Sequence, residues 1–180
     1  SADKRTIVES FIAERGLAAT LVSTENRGRD VAPFLEVLRS LDYERYGKVL
    51  KLHSKATQSG PYGAAWRQGL FRLLADPEHL KRAAALLDEH PEIGVLGPRK
   101  YLLAMQPYLG RNESAVRRLA QRMGAEIDLE TDTFFAGTMF IARTKALLPL
   151  GALGLAMADF EPELGQGNGT LAHAIERSVI

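Results

Sequence analysis

The chain has 180 residues, 46% hydrophobic and 25% charged, with 23 Lys and Arg against 22 Asp and Glu. That is the composition of an ordinary globular domain with enough chain for a substantial core, and the near-neutral balance gives no electrostatic reason to expect nucleic acid as a partner. The absence of cysteine excludes a disulfide framework and thiolate metal sites and fits a reducing, cytoplasmic setting, and no apolar run reaches the roughly 18–20 residues that cross a bilayer.

In chain order, residues 3–15 read as an amphipathic helix, with Ile7, Phe11 and Ile12 set against charges and Gly16 as its stop. Residues 17–24 (LAATLVST) read as a short buried strand and 25–30 as a loop. A helix is expected at 31–41, with Asp30 as a candidate N-cap and Pro33 in the first turn. A strand follows at 47–55, a loop at 57–63, and helices at 64–75 and 77–90, the second started by Asp76 and Pro77. Then come an apolar strand at 93–98, an irregular stretch at 101–111, and a helix at 112–124 capped by Asn112 or Ser114 and stopped by Gly124. One strand at 133–143, a short helix at 144–150, a glycine-rich segment and a final helix complete the chain. Strands alternating with helices predict an α/β fold with a mainly parallel sheet. No repeat or linker is visible, so residues 1–180 read as a single domain. The chain opens on a helix, whereas a nucleotide-binding α/β half opens on a strand, so a longer protein is expected around it.

The least core-like stretch is DFEPELGQGNGTLAHAIER, residues 159–177. Asp159, Glu161 and Glu163 precede a loop with glycines at 165, 167 and 169, which lets the backbone approach a ligand closely. The helix behind it carries Thr170, His173, Glu176 and Arg177 at spacings that share a face, with Leu171 and Ile175 on the buried side. Carboxylates at such a loop suit proton transfer; a surface turn and capped helix is the plainer reading. In Asn26-Arg27-Gly28-Arg29-Asp30, at the carboxyl end of a strand, Arg27 and Arg29 can fork onto phosphate oxygens, and Asp30 either holds a hydroxyl or caps the helix. In KLHSK, strand alternation puts Lys51, His53 and Lys55 on one face, a cationic set that suits a departing pyrophosphate. Trp66, beside Arg67, reads as core or as a stacking surface for substrate. Gly137-Thr138 inside an apolar strand reads as a bulge or a close backbone approach to ligand.

The succession NRGRDVAPFL, KLHSK, Trp66-Arg67, IGVLGP, FFAGTMFIAR and DFEPELGQGNGTLAHAIER resembles the rhamnan synthesis protein F family, bacterial proteins of cell-surface polysaccharide assembly regarded as glycosyltransferases. The resemblance runs from about Leu21 to Arg177. It implies a GT-A-like (Rossmann-like) nucleotide-sugar-binding fold without its first strand. It also implies an inverting transfer of a deoxyhexose, rhamnose, from a nucleotide-diphosphate sugar to a growing O-antigen or rhamnan. Residues 26–32 fit the N-x-G-x-x-x-A pattern of the larger class. Leu52-His53-Ser54 stands where that class has Asp-x-Asp, so no divalent metal is expected, and the basic face of Lys51, His53 and Lys55 takes the metal's place. Asn168 stands where the family has Asp in G-x-D-G-T, which leaves Asp159, Glu161 and Glu163 as candidates for the catalytic base.

Together these readings give a donor site of Asn26, Arg27, Arg29, Asp30, Lys51, His53 and Lys55. Substrate contacts are expected from Trp66, Arg67, Gly137, Asn168, Thr170, His173 and Glu176. The expected partners are the nucleotide-sugar donor and a glycan or lipid-linked acceptor, which calls for peripheral association with the cytoplasmic face of the inner membrane. The alternative is a glycan- or nucleotide-binding module without turnover, and a third reading is a structural part of an assembly enzyme.

Overall fold

The computed structural model describes residues 2–53, 69, 71, 72 and 74–179. Helix α1 spans Ala2–Glu14 and α2 spans Val31–Ser40. Strand β1 is Lys48–Lys51, α3 is Pro77–Glu89, β2 is Val95–Leu96 and β3 is Leu102–Ala104. Helix α4 is Glu113–Met123, β4 is Thr133–Phe135, β5 is Phe140–Arg143, α5 is Leu148–Gly151 and α6 is Leu171–Ser178. The expected loop at 57–63 and most of the expected helix at 64–75 lie outside the described residues.

Local chemistry explains the helices that form where expected. Asp76 accepts from the Glu78 and His79 N–H groups and Pro77 supplies a preset φ, so α3 starts there. Gly124, at φ 70, closes α4 with its N–H on the last turn's carbonyls. Helix α2 buries Val31, Ala32, Leu35 and Leu38. Asp30 makes no side-chain cap; its carboxylate goes elsewhere.

The sheet differs from expectation. Among the described residues every strand pairing is antiparallel. β5 lies centrally between β1 and β2, with Lys51 opposite Phe140 and Val95 opposite Ala142, and β3 pairs with β4 in a separate two-stranded ribbon. The fold is mixed α/β with small antiparallel sheets, not the mainly parallel sheet expected. Because β1 and β2 both oppose β5, they run in the same direction. The single strand expected at 133–143 is two strands in different sheets. Gly137 (φ 91) and Thr138 (φ 48) turn the chain between them, and that left-handed backbone is where Gly pays little and Thr is strained. The stretch expected to be irregular contains β3. Residues 17–24 form no strand: no described strand accepts their backbone hydrogen bonds, and all but Leu21 are exposed. Helix α1 forms, but Ile7 is 68% and Phe11 51% exposed, so its apolar side is not buried.

The main core joins α2, α4, α6 and β5 through Leu35, Leu38, Val116, Leu119, Phe140, Phe160 and Ile175. Helix α6 packs on α2, α4 and β4, so it reaches both the carboxyl end of β1 and the glycine-rich loop. A small cavity of about 80 Å³ between β2, α5 and the end of α6, lined by Val95, Met123 and Leu150, is remote in character from the polar chemistry.

Candidate functional site

Three segments meet at the carboxyl end of β1: the start of α2, the strand end, and the 136–139 turn. Lys51, 6% exposed, directs its ammonium to Asp30 Oδ2 (2.5 Å), the Thr138 carbonyl (2.8 Å) and Thr138 Oγ1 (3.1 Å). An ammonium has three N–H donors, so all three are in use. The Thr138 hydroxyl also donates to Asp30, and the Lys51 Nζ stands 5.2 Å from the Phe34 ring centre. His53 Nε2–H donates to the Gly137 carbonyl at 2.7 Å and lies 3.6 Å from Asp30 Oδ2. The opposite side of the same glycine is held by Glu176, whose Oε1 accepts the Gly137 N–H at 2.7 Å.

The electrostatics follow from this packing. Burial works to raise the Asp30 pKa, but the charges of Lys51 and His53 and the hydrogen bonds from Lys51 and Thr138 together hold it below the usual carboxylate range. Burial pulls the Lys51 ammonium below its ordinary value, opposed first by Asp30 and also by Glu176. The Asp30 side chain makes no helix cap; it accepts from Lys51 and from the Thr138 hydroxyl of the protein itself. The strand expected at 47–55 ends at Lys51 among the described residues; His53 lies just beyond it, and both side chains approach Asp30. Lys55, Trp66 and Arg67 lie outside the described residues.

The glycine-rich loop is tied down residue by residue. The Leu171 N–H, the first of α6, donates to both oxygens of Glu161 at 3.2 and 3.0 Å. Glu163 accepts the Arg29 N–H at 3.0 Å, with the Arg29 Nε 3.7 Å from its other oxygen, and the Arg29 guanidinium donates to the Gln166 carbonyl. Asp159 accepts the Ala156 N–H of its own turn at 2.7 Å. Asn168 Oδ1 accepts from Asn112 Nδ2 (2.8 Å) and from the Gly169 N–H (2.9 Å), while its amide donates to the Tyr108 carbonyl (3.3 Å). Arg27 donates to the Phe160 carbonyl at 3.0 Å, next to an antiparallel bridge with Pro162. Asn26 is exposed at the edge of this junction.

On α6, His173 and Arg177 are buried; they do not present the polar face expected of them. His173 Nδ1 pairs with Thr170 Oγ1 at 2.6 Å, not with Glu176. Burial, then the charges of Arg29 and Arg177, push His173 down to about 4, against the pull of Glu161 and a backbone hydrogen bond to Gly167. Arg177 donates to the His173 carbonyl (2.6 Å) and the Tyr108 carbonyl (2.8 Å) and stacks 5.3 Å from the Phe134 ring. Burial lowers its pKa, countered by Glu176.

Two groups central to the site were not singled out for these roles by sequence. In the sequence Thr138 shows only as part of a glycine-containing break in an apolar strand, and Asn112 only as a helix cap. Asn112 is buried, at 2% exposure, and its side chain makes no cap but donates to Asn168 of the glycine-rich loop. Among the described residues no three His, Asp or Glu side chains group as a metal set, and the cation against Asp30 is the Lys51 ammonium.

Comparison with protein families matches residues 1–180 to rhamnan synthesis protein F. Two curated relatives, the uncharacterized protein WxcX from two strains of Xanthomonas campestris pv. campestris, are each 38% identical over 172 residues. The match covers 96% of this chain and 25% of theirs, so the chain spans about a quarter of the length of the curated relatives it matches. No solved structure matches it. A match over the whole chain, supported by relatives well above 30% identity, establishes the family: the chain belongs to the rhamnan synthesis protein F family.

Proposed function

We propose that the chain acts in polysaccharide assembly as a glycosyltransferase. It moves a deoxyhexose, rhamnose, from a nucleotide-diphosphate sugar to a growing cell-surface glycan such as O-antigen or rhamnan. Family membership supports the pathway class. The observation that carries the site is the convergence of Asp30, Lys51, His53, Thr138 and Glu176 at the carboxyl end of β1, with Arg27 and Arg29 on the adjoining loop. A GT-A-like arrangement is part of the proposal and rests on family membership.

In this reading Lys51 acts by position. Its donors hold Asp30 and the 136–139 turn, and the diphosphate is met by His53 and by Arg27, Arg29 and Lys55, the positive charge of these three stabilising the leaving group without a divalent ion. The acceptor is a glycan or a lipid-linked glycan. No helix among the described residues is long and apolar enough to cross a membrane, and a lipid-linked acceptor brings the protein to the cytoplasmic surface peripherally.

Titration calorimetry of the full-length protein with dTDP and with UDP, with and without Mn²⁺ or Mg²⁺, tests this. Metal-independent binding of one nucleotide, weakened about tenfold or more in Arg29→Ala and in Lys55→Ala, is expected. No binding of either nucleotide by the full-length protein would overturn it. A second reading, a binding module without turnover, is favoured by Asn168 in place of the family's Asp; nucleotide binding without transfer would select it.

A further inference from the structure

Resting on the transferase reading, we propose that Glu176 is the general base that takes the acceptor's hydroxyl proton. The carboxylates around the site are distinguished by what holds them and by where they are held. Asp30 accepts from Lys51 and Thr138. Glu161 spends both oxygens on the first N–H of α6. Glu163 is held in the same manner as Glu176 but away from the end of β1, on the glycine-rich loop, with one oxygen on the Arg29 N–H and the other 3.7 Å from the Arg29 Nε. Asp159 is exposed and turned back onto the Ala156 N–H of its own turn.

Glu176 differs in where it is held, at the end of β1 beside His53. One oxygen is anchored by the Gly137 N–H, while the other, Oε2, stands 3.6 Å from the Arg177 guanidinium and receives no hydrogen bond among the described residues. Its side chain is partly exposed, at 19%, so Oε2 can be reached. It shares Gly137 with His53, which donates to that residue's carbonyl, so the carboxylate and the imidazole are fixed about one residue at the end of β1. A base needs a free lone pair within hydrogen-bond reach of the proton it takes, on a support that fixes its position. A helix residue anchored through one oxygen meets that requirement.

The step balances without a further reactant. The acceptor oxygen bonds to the sugar's anomeric carbon as the carbon–oxygen bond to the diphosphate breaks, and the bonding pair leaves with the nucleotide diphosphate. The hydroxyl proton passes to Glu176 Oε2.

Glu176→Gln separates this role from a structural one, because the amide oxygen still accepts from Gly137 while the proton acceptor is gone. The assay follows transfer from dTDP-rhamnose by the full-length protein, together with dTDP affinity and the thermal midpoint. The expected result is a fall in kcat of about 100-fold or more, with dTDP affinity and thermal midpoint near those of the unaltered protein. Transfer within about threefold of the unaltered protein would overturn the proposal and leave the transferase reading standing. A variant that fails to fold would assign Glu176 to structure and overturn it as well. Nucleotide binding without transfer by the unaltered protein would overturn both readings.

Discussion

At the scale of single residues, the decisive fact is that Lys51 has no donor left. Three acceptors surround its ammonium, and the side chain is 5% exposed against 21% for Asp30. Removing one partner of a buried pair leaves an uncompensated charge, at about 3–5 kcal/mol, toward the lower end here because Asp30 keeps an edge in solvent. Lys51→Met is therefore expected to lower unfolding free energy by about 3 kcal/mol, and adding Asp30→Asn to recover part of that loss. Urea unfolding of both single variants and the double variant checks it. Strictly additive losses would show that the two side chains are not coupled.

His173 gives a second residue-scale test. Its folded pKa of about 4 lies below the ordinary 6.5. Between those values the unfolded chain binds more protons than the folded one, so stability rises with pH across that window. The contribution is fully present above about 6.5 and is lost as pH falls toward 4. The stability advantage of the unaltered protein over His173→Gln should accordingly shrink between pH 7 and pH 5. Denaturant unfolding at the two pH values reads the difference directly, and a constant gap would contradict the buried neutral imidazole.

At the scale of elements, the glycine-rich loop is a latched segment, fixed by Asn168 to the turn before α4 and by Glu161 and His173 to α6. Asn168→Asp would restore the family's residue but turn a carboxylate oxygen toward the Tyr108 carbonyl, which now accepts the Asn168 amide. The expected outcome is a loss of about 1–3 kcal/mol in a thermal melt and no gain in transfer. Gly28 is constrained from another side: a Cβ there would stand 2.5 Å from both Ala32 Cβ and the Phe160 ring, at φ 60. The same scale shows what the sequence could convey. Caps and stops are local, so Asp76-Pro77 and Gly124 mark α3 and α4 correctly. Lys51 and His53 were legible as a basic pair, and the structure brings both to Asp30 although the strand ends at Lys51. The occupancy of Lys51 was not, since it depends on Thr138, 87 residues away. The break at Gly137-Thr138 was visible as a glycine in an apolar run, but a continuous hydrophobic period gives no sign that its halves enter different sheets.

At the scale of the whole molecule, the burial pattern divides the chain near residue 30. The main core begins at Val31 and continues through α6. Before it, α1 exposes Ile7, Val8 and Phe11, and the following segment exposes Leu17 and Val22. The Arg5 to Ser23 hydrogen bond lies wholly within that first part, whereas the 26–30 loop is held to the body by Arg27 on Phe160 and Arg29 on Glu163. Apolar period alone predicted burial for α1 and a strand for 17–24, because a pattern records which side would be buried and not whether a partner is present. The stability of this domain should therefore reside after residue 25. A chain starting at Glu25 is expected to unfold cooperatively, with a thermal midpoint within a few degrees of the 180-residue chain, since loss of exposed segments costs little burial. Circular dichroism melts of both chains test this. Loss of the cooperative transition would mean that α1 and the extended segment stabilise the body through contacts that their exposure does not reflect. A retained transition would place the exposed apolar side of α1 outside the folding unit.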